Sequence, residues 1–570
     1  MDCKDMILSN DFADVILDFS LGAVDLPQED PDDYCTISIT DDKLIAYTRR
    51  IGTGQEMSLS VYAYRYMPTL YGLMQNEFDT LSLDATGVTQ VQRPPLELTG
   101  KGVLIAFIDT GIDYTLPVFR DAAGNSRILA IWDQTVQTGT PPEGLLYGSE
   151  YTREDLQQAL ASQDPYSIVP SRDENGHGTA IASVAAGSRI SEREEFLGVA
   201  PDADILVVKL KECKPYLREY YMISSEAPAY AENDIMLALK YVQSYLVPFQ
   251  RPVVVCLGLG TNWGDHTGSA PLGRYLNETA IRRNMGIVVC GGNEGNTRHH
   301  FKGRLEVGSP SPENYQDVEI RVGEGENGFF MELWGSVPDT LDIDITSPGG
   351  ESVQGTVLGL GQSVTYRFIY ERTRVSVFNI LVEAAAGEQL IILRFMQPTA
   401  GVWRIRVSAR ETVQNGNFNV WLPITQFLTA ETYFLEASPD TTLTEPSLAS
   451  NVITVSTYDA VNNSFYPASG RGYARDNRIK PELAAPGVDI PTINGRRTGS
   501  SMAAAITAGT VAQFMEWAVT RQNRPFVTSL EIRNYLIRGA QRTPSVSYPD
   551  QEWGYGRLNI AETFDALAGV

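Results

Sequence analysis

Four short, nearly continuous apolar runs constrain the fold of this chain most strongly. They occupy residues 103–108, 205–210, 253–257 and 287–290. Runs of this kind are typical of parallel strands that are buried on both faces, and the segments between them are long enough for covering helices. Residues 234–246 have the apolar spacing of such a helix. The sequence therefore predicts an α/β fold, with a parallel sheet covered by helices on both faces.

Two other regions depart from this pattern. Residues 1–80 contain stretches in which apolar and polar residues alternate, and they predict a small α+β domain. Residues 304–439 contain short strands of period two separated by Gly or Pro turns, and they predict an all-β insert, either a sandwich or a jelly roll. We therefore expect an N-terminal domain (1–80), an α/β domain in two pieces (81–303 and 440–570) and the insert (304–439).

Charge and cysteine content narrow the choice of partners and compartment. The 570 residues include 45 Lys or Arg and 70 Asp or Glu, which gives a net charge of −25. Such an acidic chain repels phosphate backbones and anionic lipids, so no nucleic-acid partner is expected.

The five cysteines show no metal-ligand or CxxC spacing, which favours reduced thiols. No standard export signal is seen and the apolar runs are too short to cross a bilayer, so we expect a soluble protein of cytoplasmic synthesis without membrane insertion.

Three segments carry residues with complementary chemistry. Asp109 ends an apolar run at a Gly turn, His177 is flanked by glycines at the start of a helix, and Ser501 begins an Ala-rich helix. Taken singly these residues are ordinary, because an Asp at a strand end is often a turn former and a Ser at a helix start is often an N-cap. Together they supply an orienting carboxylate, a general base and a hydroxyl nucleophile, which attack on an acyl carbon needs.

The order of these motifs along the chain is also informative. Asp, then His, then Ser is the order found in subtilisin. From about Gly87 to its end, apart from the insert, the sequence resembles the subtilisin-like serine proteases. Residues 291–295, Gly-Gly-Asn-Glu-Gly, match the oxyanion-hole motif of that family, and further matches to its scaffold lie at 197–201, 480–487 and 554–559. The resemblance implies a serine endopeptidase with Asp109, His177 and Ser501 as its triad, in which Asn293 stabilises the oxyanion.

The resemblance also implies where a substrate binds. Cys256, Leu257 and Gly258 would lie along an extended substrate, although the family usually has Ser where this chain has Cys256. Catalysis in this family requires no cofactor or metal, and many members bind structural calcium.

A further implication concerns the N-terminal domain. Residues 1–80 would be a propeptide, which helps the chain to fold, occupies the active site and is then removed by self-cleavage. Residues 87–91 resemble the start of mature subtilisins, which places the cut a few residues earlier. The predicted cleavage region is Phe78, Asp79, Thr80 and Leu81.

An insert at this position, together with a propeptide, resembles the Csp germination proteases of spore-forming Clostridia. That family performs limited cleavage of an inactive cortex-hydrolase precursor, so the resemblance implies this precursor as the protein substrate and packaging in the spore. Two alternatives stay open. One is a catalytically silent subtilase-like regulator, although all three triad residues are present here. The other is a secreted degradative subtilase, which the missing export signal disfavours.

Overall fold

The computed structural model describes residues 2–21, 34–50, 59–74, 84–189, 197–246, 251–309, 313–353 and 363–569. At its centre lies a mostly parallel sheet of nine strands, here called the central sheet. Six neighbouring strands run parallel, in the spatial order Ile453–Asp459, Met285–Cys290, Val253–Leu257, Leu104–Asp109, Asp204–Lys209 and Ile128–Asp133. Leu483–Pro486 adds a parallel strand, whereas Ser464–Phe465 and Ser149–Thr152 pair antiparallel at the edges.

Both faces of the central sheet are buried in its middle, because alternate side chains of the inner strands enter opposite cores. In the strand Leu104–Asp109, Ile105 and Phe107 belong to one core, whereas Ala106 and Ile108 belong to the other. This two-sided burial explains why the strands appear in the sequence as continuous apolar runs. The predicted α/β core is therefore confirmed.

Helices cover both faces of the sheet. His177–Ala186 is here called the histidine helix and Ser500–Met515 the serine helix, and both are buried along their whole lengths. Among the described residues, no helix is long and apolar enough to span a membrane. The other α-helices in the described parts of the chain are Cys3–Leu8, Val61–Tyr66, Val88–Val91, Arg153–Ala161, Pro215–Tyr221, Glu232–Ser244, Pro271–Ala280, Ser529–Arg538 and Ile560–Ala568.

The inserted β domain consists of two antiparallel sheets. One has the order His300–Arg304, Asn417–Trp421, Gly328–Gly335, Gln389–Met396, Thr373–Ile380 and Ser363–Phe368. The other has the order Ser352–Val353, Leu341–Thr346, Gly401–Ala409, Tyr315–Val322 and Tyr433–Phe434. Side chains of both sheets, such as Leu393 and Trp403, share one core. The region is all-β, as the alternating pattern predicts, and its assignment as a jelly roll stays a prediction.

The N-terminal region contributes a three-stranded antiparallel sheet, in the order Phe12–Asp18, Lys43–Arg49 and Tyr34–Ser38. Phe12 of this sheet shares a core with Leu239 of the helix Glu232–Ser244. A buried ion pair joins Nζ of Lys214 to Oδ1 of Asp14 at 2.5 Å. The N-terminal sheet is therefore docked on the α/β part through both apolar and ionic contacts.

The prediction of reduced thiols is wrong for one pair of cysteines. Cys3 and Cys35 form a disulfide, with their Cα atoms 5.6 Å apart. No spacing in the sequence indicates this pair, because the two residues meet only when the N-terminal sheet has formed. Cys213, Cys256 and Cys290 are free and buried.

Candidate active site

Asp109 and His177 are joined in the interior. Asp109 is the last residue of its strand, and His177 is the first residue of the histidine helix. Nδ1 of His177 lies 2.7 Å from Oδ1 of Asp109, and both side chains are fully buried. The same oxygen accepts a 2.8 Å hydrogen bond from the N–H of Thr110. Because an ionised carboxylate only accepts hydrogen bonds, Nδ1 carries the proton and Nε2 remains available as a base.

Ser501 meets a peptide group from the N-terminal region of its own chain. The hydroxyl of Ser501 donates a 2.8 Å hydrogen bond to the carbonyl oxygen of Met74. The backbone N–H of Ser501 donates to the same oxygen at 3.4 Å. A carbonyl oxygen that accepts hydrogen bonds from both the hydroxyl and the N–H of a candidate nucleophile has the position of a substrate carbonyl oxygen.

The three predicted triad residues converge around Gly258. A Cβ atom added at Gly258 would lie 3.0 Å from Cε1 of His177 and 3.2 Å from Cβ of Ser501. It would lie 3.3 Å from Oδ2 of Asp109. Only glycine fits there without displacing the carboxylate, the imidazole or the serine. Sequence segments that are up to 392 positions apart therefore meet at one point.

Several buried polar atoms at this point have no hydrogen-bond partner among the described residues. They include Nε2 of His177 and Nδ2 of Asn293. An unsatisfied buried polar atom costs about 1–3 kcal/mol, so two of them on predicted catalytic residues are typical of a reactive site. Nε2 can accept the proton of Ser501, and Nδ2 can donate to a negatively charged oxygen.

The amide of Asn293 is oriented by the residue next to Ser501. Oδ1 of Asn293 accepts a 2.9 Å hydrogen bond from the N–H of Ser500, which leaves Nδ2 as the free donor. The hydroxyl of Ser500 in turn accepts a 3.1 Å hydrogen bond from the N–H of Gly292. Ser500 therefore braces the loop that carries Asn293. Sequence reasoning missed this role, because the motif marks Ser500 only as the neighbour of the nucleophile.

We expect Asn293→Ala to slow self-cleavage by about 10²–10³-fold, because the oxyanion loses one of its two donors. The measurement is the rate at which newly made chain splits on a denaturing gel. Asn293→Asp is the matched variant, since it keeps an oxygen that accepts from Ser500 and removes the donor. Equal processing of the wild type and both variants would remove Asn293 from the oxyanion role.

The strand Leu70–Leu73, here called the tail strand, leads Met74 to Ser501. It pairs antiparallel with Leu259–Gly260 on one side and with Tyr230–Ala231 on the other. The N–H of Met74 then donates a 3.2 Å hydrogen bond to the carbonyl oxygen of Gly258. A segment held on both edges by main-chain hydrogen bonds is bound in the extended form in which proteins capture peptides by adding a strand.

This pairing lies two residues further along the chain than the sequence predicts. Cys256 and Leu257 belong to the central sheet, where each is buried between two parallel neighbours. Of the three predicted substrate-binding residues, Gly258 accepts a hydrogen bond from the tail, and Leu257 shares a core with Leu73 of the tail strand. The dipeptide Leu-Gly occurs twice in succession, at 257–258 and 259–260, and the pattern does not mark which copy follows the end of the strand.

Thr444 is a site residue that sequence reasoning missed. Its side chain is fully buried, and a Cβ atom added at Gly292 would lie 2.6 Å from its Cγ2. It also lies against Gly260, so it fills the space between the edge that holds the tail and the loop that carries Asn293. Its Oγ1 has no hydrogen-bond partner among the described residues. No motif marks it, because the insert separates it from the rest of the cleft in the sequence.

Glu445, next to Thr444, is a buried carboxylate beside the cleft. Its Oε1 accepts a 2.9 Å hydrogen bond from the N–H of Gly268, and its Oε2 has no hydrogen-bond partner among the described residues. Burial, together with the nearby charge of Asp265, raises the pKa of Glu445 to about 8. The native protein therefore keeps this carboxyl group protonated at pH values at which the unfolded chain has released the proton.

We expect Glu445→Gln to gain stability relative to the wild-type residue as the pH rises from 5 to 8. Below about pH 4.5 the carboxyl group of Glu445 is protonated in both the folded and the unfolded state. Above that pH the unfolded state ionises first, so by pH 8 Glu445 costs the folded state on the order of 4 kcal/mol. The measurement is the urea midpoint in a Ser501→Ala background, which keeps the chain whole. Glu306→Gln, at an exposed position, is the control. A Glu445→Gln difference that is the same at both pH values would contradict this account.

Two predictions of the sequence analysis are not reached by the described residues. Phe78, Asp79, Thr80 and Leu81 lie outside them. Among the described residues, no group of three or more His, Cys, Asp or Glu is placed to hold a metal ion, and structural calcium stays a prediction.

Comparison with known proteins places this geometry in a class. The chain matches the model of the subtilase family, Peptidase S8, over residues 100–373 and 404–556. It therefore belongs to the subtilase family of serine proteases. Among solved structures, the CspB protease of Clostridium perfringens superposes with a TM-score of 0.74 and 32% identity, covering 85% of this chain and 99% of that chain. The predicted resemblance to the Csp subtilases is confirmed.

Two curated relatives are more distant. The subtilisin-like protease SBT5.5 of Arabidopsis thaliana is 21% identical over 526 residues, which cover 80% of this chain and 59% of that protein. The serine protease AprX of Bacillus subtilis (strain 168) is 28% identical over 218 residues, which cover 37% of this chain and 38% of that protein. The alignment with this chain thus spans less than two thirds of either protein.

Proposed function

We propose that this protein is a serine endopeptidase that cuts its own chain between Met74 and Gln75. The single observation that carries the proposal is that the carbonyl oxygen of Met74 accepts hydrogen bonds from both the hydroxyl and the N–H of Ser501. The peptide bond after this carbonyl is the bond that Ser501 reaches. The proposed cut lies four residues before Phe78, where the cleavage region predicted from the sequence begins; that region lies outside the described residues.

The chemistry follows from the positions of the side chains. A rotation about the Cα–Cβ bond of Ser501 turns its hydroxyl from the carbonyl of Met74 towards Nε2 of His177, which takes the proton as Oγ attacks the carbonyl carbon. The oxyanion accepts from the N–H of Ser501 and from Nδ2 of Asn293. Asp109 stabilises the imidazolium that forms.

Collapse of the oxyanion then breaks the bond between the carbonyl carbon of Met74 and the nitrogen of Gln75. His177 returns its proton to that nitrogen, which leaves as the amine of the second fragment. Water, deprotonated by His177, attacks the ester of Ser501 and releases the carboxylate of Met74. Each proton that His177 takes is given back, so the enzyme is regenerated.

Residues 1–74 serve as the propeptide in this proposal. Their sheet is docked on the helix Glu232–Ser244, and the tail strand delivers Met74 to Ser501. The N-terminal sheet thus binds the helix, and the tail strand at the end of the same region binds the cleft. Such docking favours the folded state of the α/β part and presents the bond to be cut in the extended form.

After self-cleavage, we propose, the enzyme performs limited proteolysis of a protein precursor. Because the cleft pairs with both edges of the tail strand, it should accept only extended segments that fit between these edges, which favours a narrow range of substrates. The likeness to the CspB protease supports a cortex-hydrolase precursor that is cut during germination of a spore.

The test is to incubate the processed protein with such a precursor, using the Ser501→Ala chain as the control. One discrete cut by the wild type, and none by Ser501→Ala, is the expected result. An intact precursor together with an uncut wild-type chain would favour the catalytically silent regulator instead.

A further inference from the structure

Within the inserted β domain, the chain that leaves the strand Asn417–Trp421 and leads to Tyr433–Phe434 lies over the cleft. This exit segment, residues 422–427, follows the strand Asn417–Trp421 and ends in a short helical turn, Thr425–Phe427. Thr425 is fastened to Glu294, the residue after Asn293, because its N–H donates to Oε1 of Glu294 at 3.2 Å and its hydroxyl donates to Oε2 at 3.2 Å. The exit segment is therefore tied to the loop that carries the oxyanion donor.

The exit segment also holds the tail strand directly. Nε2 of Gln426 donates a hydrogen bond to the carbonyl oxygen of Leu73. Ile424 and Phe427 are buried, and the ring of Phe427 stacks on that of Trp263 with centroids 5.4 Å apart. These side chains belong to the same core as the tail residue Met74, so the inserted domain forms one wall of the cleft.

Gly72, the third residue before the proposed cut, faces this wall. A Cβ atom added at Gly72 would lie 2.6 Å from Cδ1 of Ile424, 3.2 Å from Oε1 of Gln426 and 3.4 Å from Cε1 of Phe427. Gly72 lies in a strand paired with Gly260 and has no positive φ, so its backbone conformation suits any residue. Cδ1 is the end of the Ile424 side chain, but Ile424 is fully buried, so it can turn away from a new methyl group only by displacing its neighbours. The packing of the wall, and not the backbone conformation of Gly72, thus disfavours a side chain at this position.

We propose that the exit segment makes the enzyme selective for substrates with glycine at the third position before the cut. This inference rests on the proposed endopeptidase function and adds its substrate class. The substrates would be extended protein segments that have glycine at that position and apolar residues beside it. The tail has this pattern, because Tyr71, Leu73 and Met74 are buried around Gly72. Ile424 and Gln426 act as specificity and positioning residues, respectively. The inserted domain thereby takes part in choosing the substrate.

The sharpest test combines two small changes. Gly72→Ala adds the methyl group that meets Ile424, and we expect it to slow self-cleavage about 10- to 100-fold, as overpacking of a filled site does. Ile424→Val deletes Cδ1, the atom that the new methyl group would strike. In chains that carry Ile424→Val, adding Gly72→Ala should therefore slow self-cleavage by only about threefold or less. The rates are measured on pulse-labelled full-length chain made by cell-free translation.

The matched control is Ile345→Val, which deletes the same methyl group in the core of the inserted domain and away from the cleft. In chains that carry Ile345→Val, Gly72→Ala should slow self-cleavage as much as it does in the wild-type background. The proposal is overturned if Gly72→Ala is cut as fast as the wild type, or if Ile345→Val restores the rate as well as Ile424→Val does.

A second measurement separates this inference from the proposed function. In uncut Ser501→Ala chains, Gly72→Ala should lower the thermal midpoint, and this loss should shrink in the Ile424→Val background. A wild-type chain that never cuts itself would defeat the proposed function, while the thermal measurement still tests the contact. An unchanged midpoint on adding Gly72→Ala to the Ser501→Ala chain would sink the specificity proposal even if self-cleavage occurs.

Discussion

The Ser501→Ala chain is expected to stay whole under conditions in which the wild-type chain splits into residues 1–74 and 75–570. Without the hydroxyl no acyl-enzyme can form, and loss of the nucleophile in a serine protease lowers the rate by about 10⁶-fold. A denaturing gel of the two purified proteins measures this difference. The effect is large enough that no trace of processing should be seen in the variant.

The control for this experiment is Ser464→Ala, at an exposed position on the edge strand Ser464–Phe465. It should split as the wild type does. Processing of the Ser501→Ala chain at the wild-type rate would show that another protease makes the cut. A wild-type chain that stays whole would favour the regulator.

The second large effect is expected for Asp109→Asn, which should slow self-cleavage about 10⁴-fold. The carboxylate at 2.7 Å keeps the proton of His177 on Nδ1 and stabilises the imidazolium. An amide does neither, because its NH₂ group favours the tautomer in which Nε2 carries the proton and can no longer act as a base. A time course of splitting in pulse-labelled chain gives the rate.

Asp113→Asn is the matched control, since Asp113 lies four residues further on and accepts hydrogen bonds from Thr115. It should process at about the wild-type rate. A loss smaller than tenfold for Asp109→Asn, with the protein folded, would mean that His177 does not depend on this carboxylate.

The core of the fold could be predicted because its information is local. Inner strands of the central sheet such as Leu104–Asp109, Val253–Leu257 and Met285–Cys290 are buried on both faces, so they appear as nearly continuous apolar runs. Asp109, His177 and Ser501 stand in short motifs at the ends of such elements, where the chain turns. Their order along the sequence predicts a catalytic triad, and in the structure the three residues surround Gly258.

What escaped the sequence depends on contacts between distant segments. The sequence does not mark where the strand Val253–Leu257 ends, so it does not indicate that the pairing with the tail strand extends through Leu259 and Gly260. Cys3 and Cys35 become partners only through the N-terminal sheet. Ile424 and Gln426 lie in a connection between the two sheets of the inserted domain. Nothing in their local pattern indicates that they reach Gly72 and Leu73 across more than 350 positions.

The place of the cut tests the central claim most directly. Mass spectrometry of the two fragments of the wild-type protein gives the residue at each new end. The account predicts a small fragment that ends at Met74 and a large fragment that begins at Gln75, because the carbonyl of Met74 lies on Ser501. A large fragment that begins anywhere from residue 78 to residue 84 would contradict it.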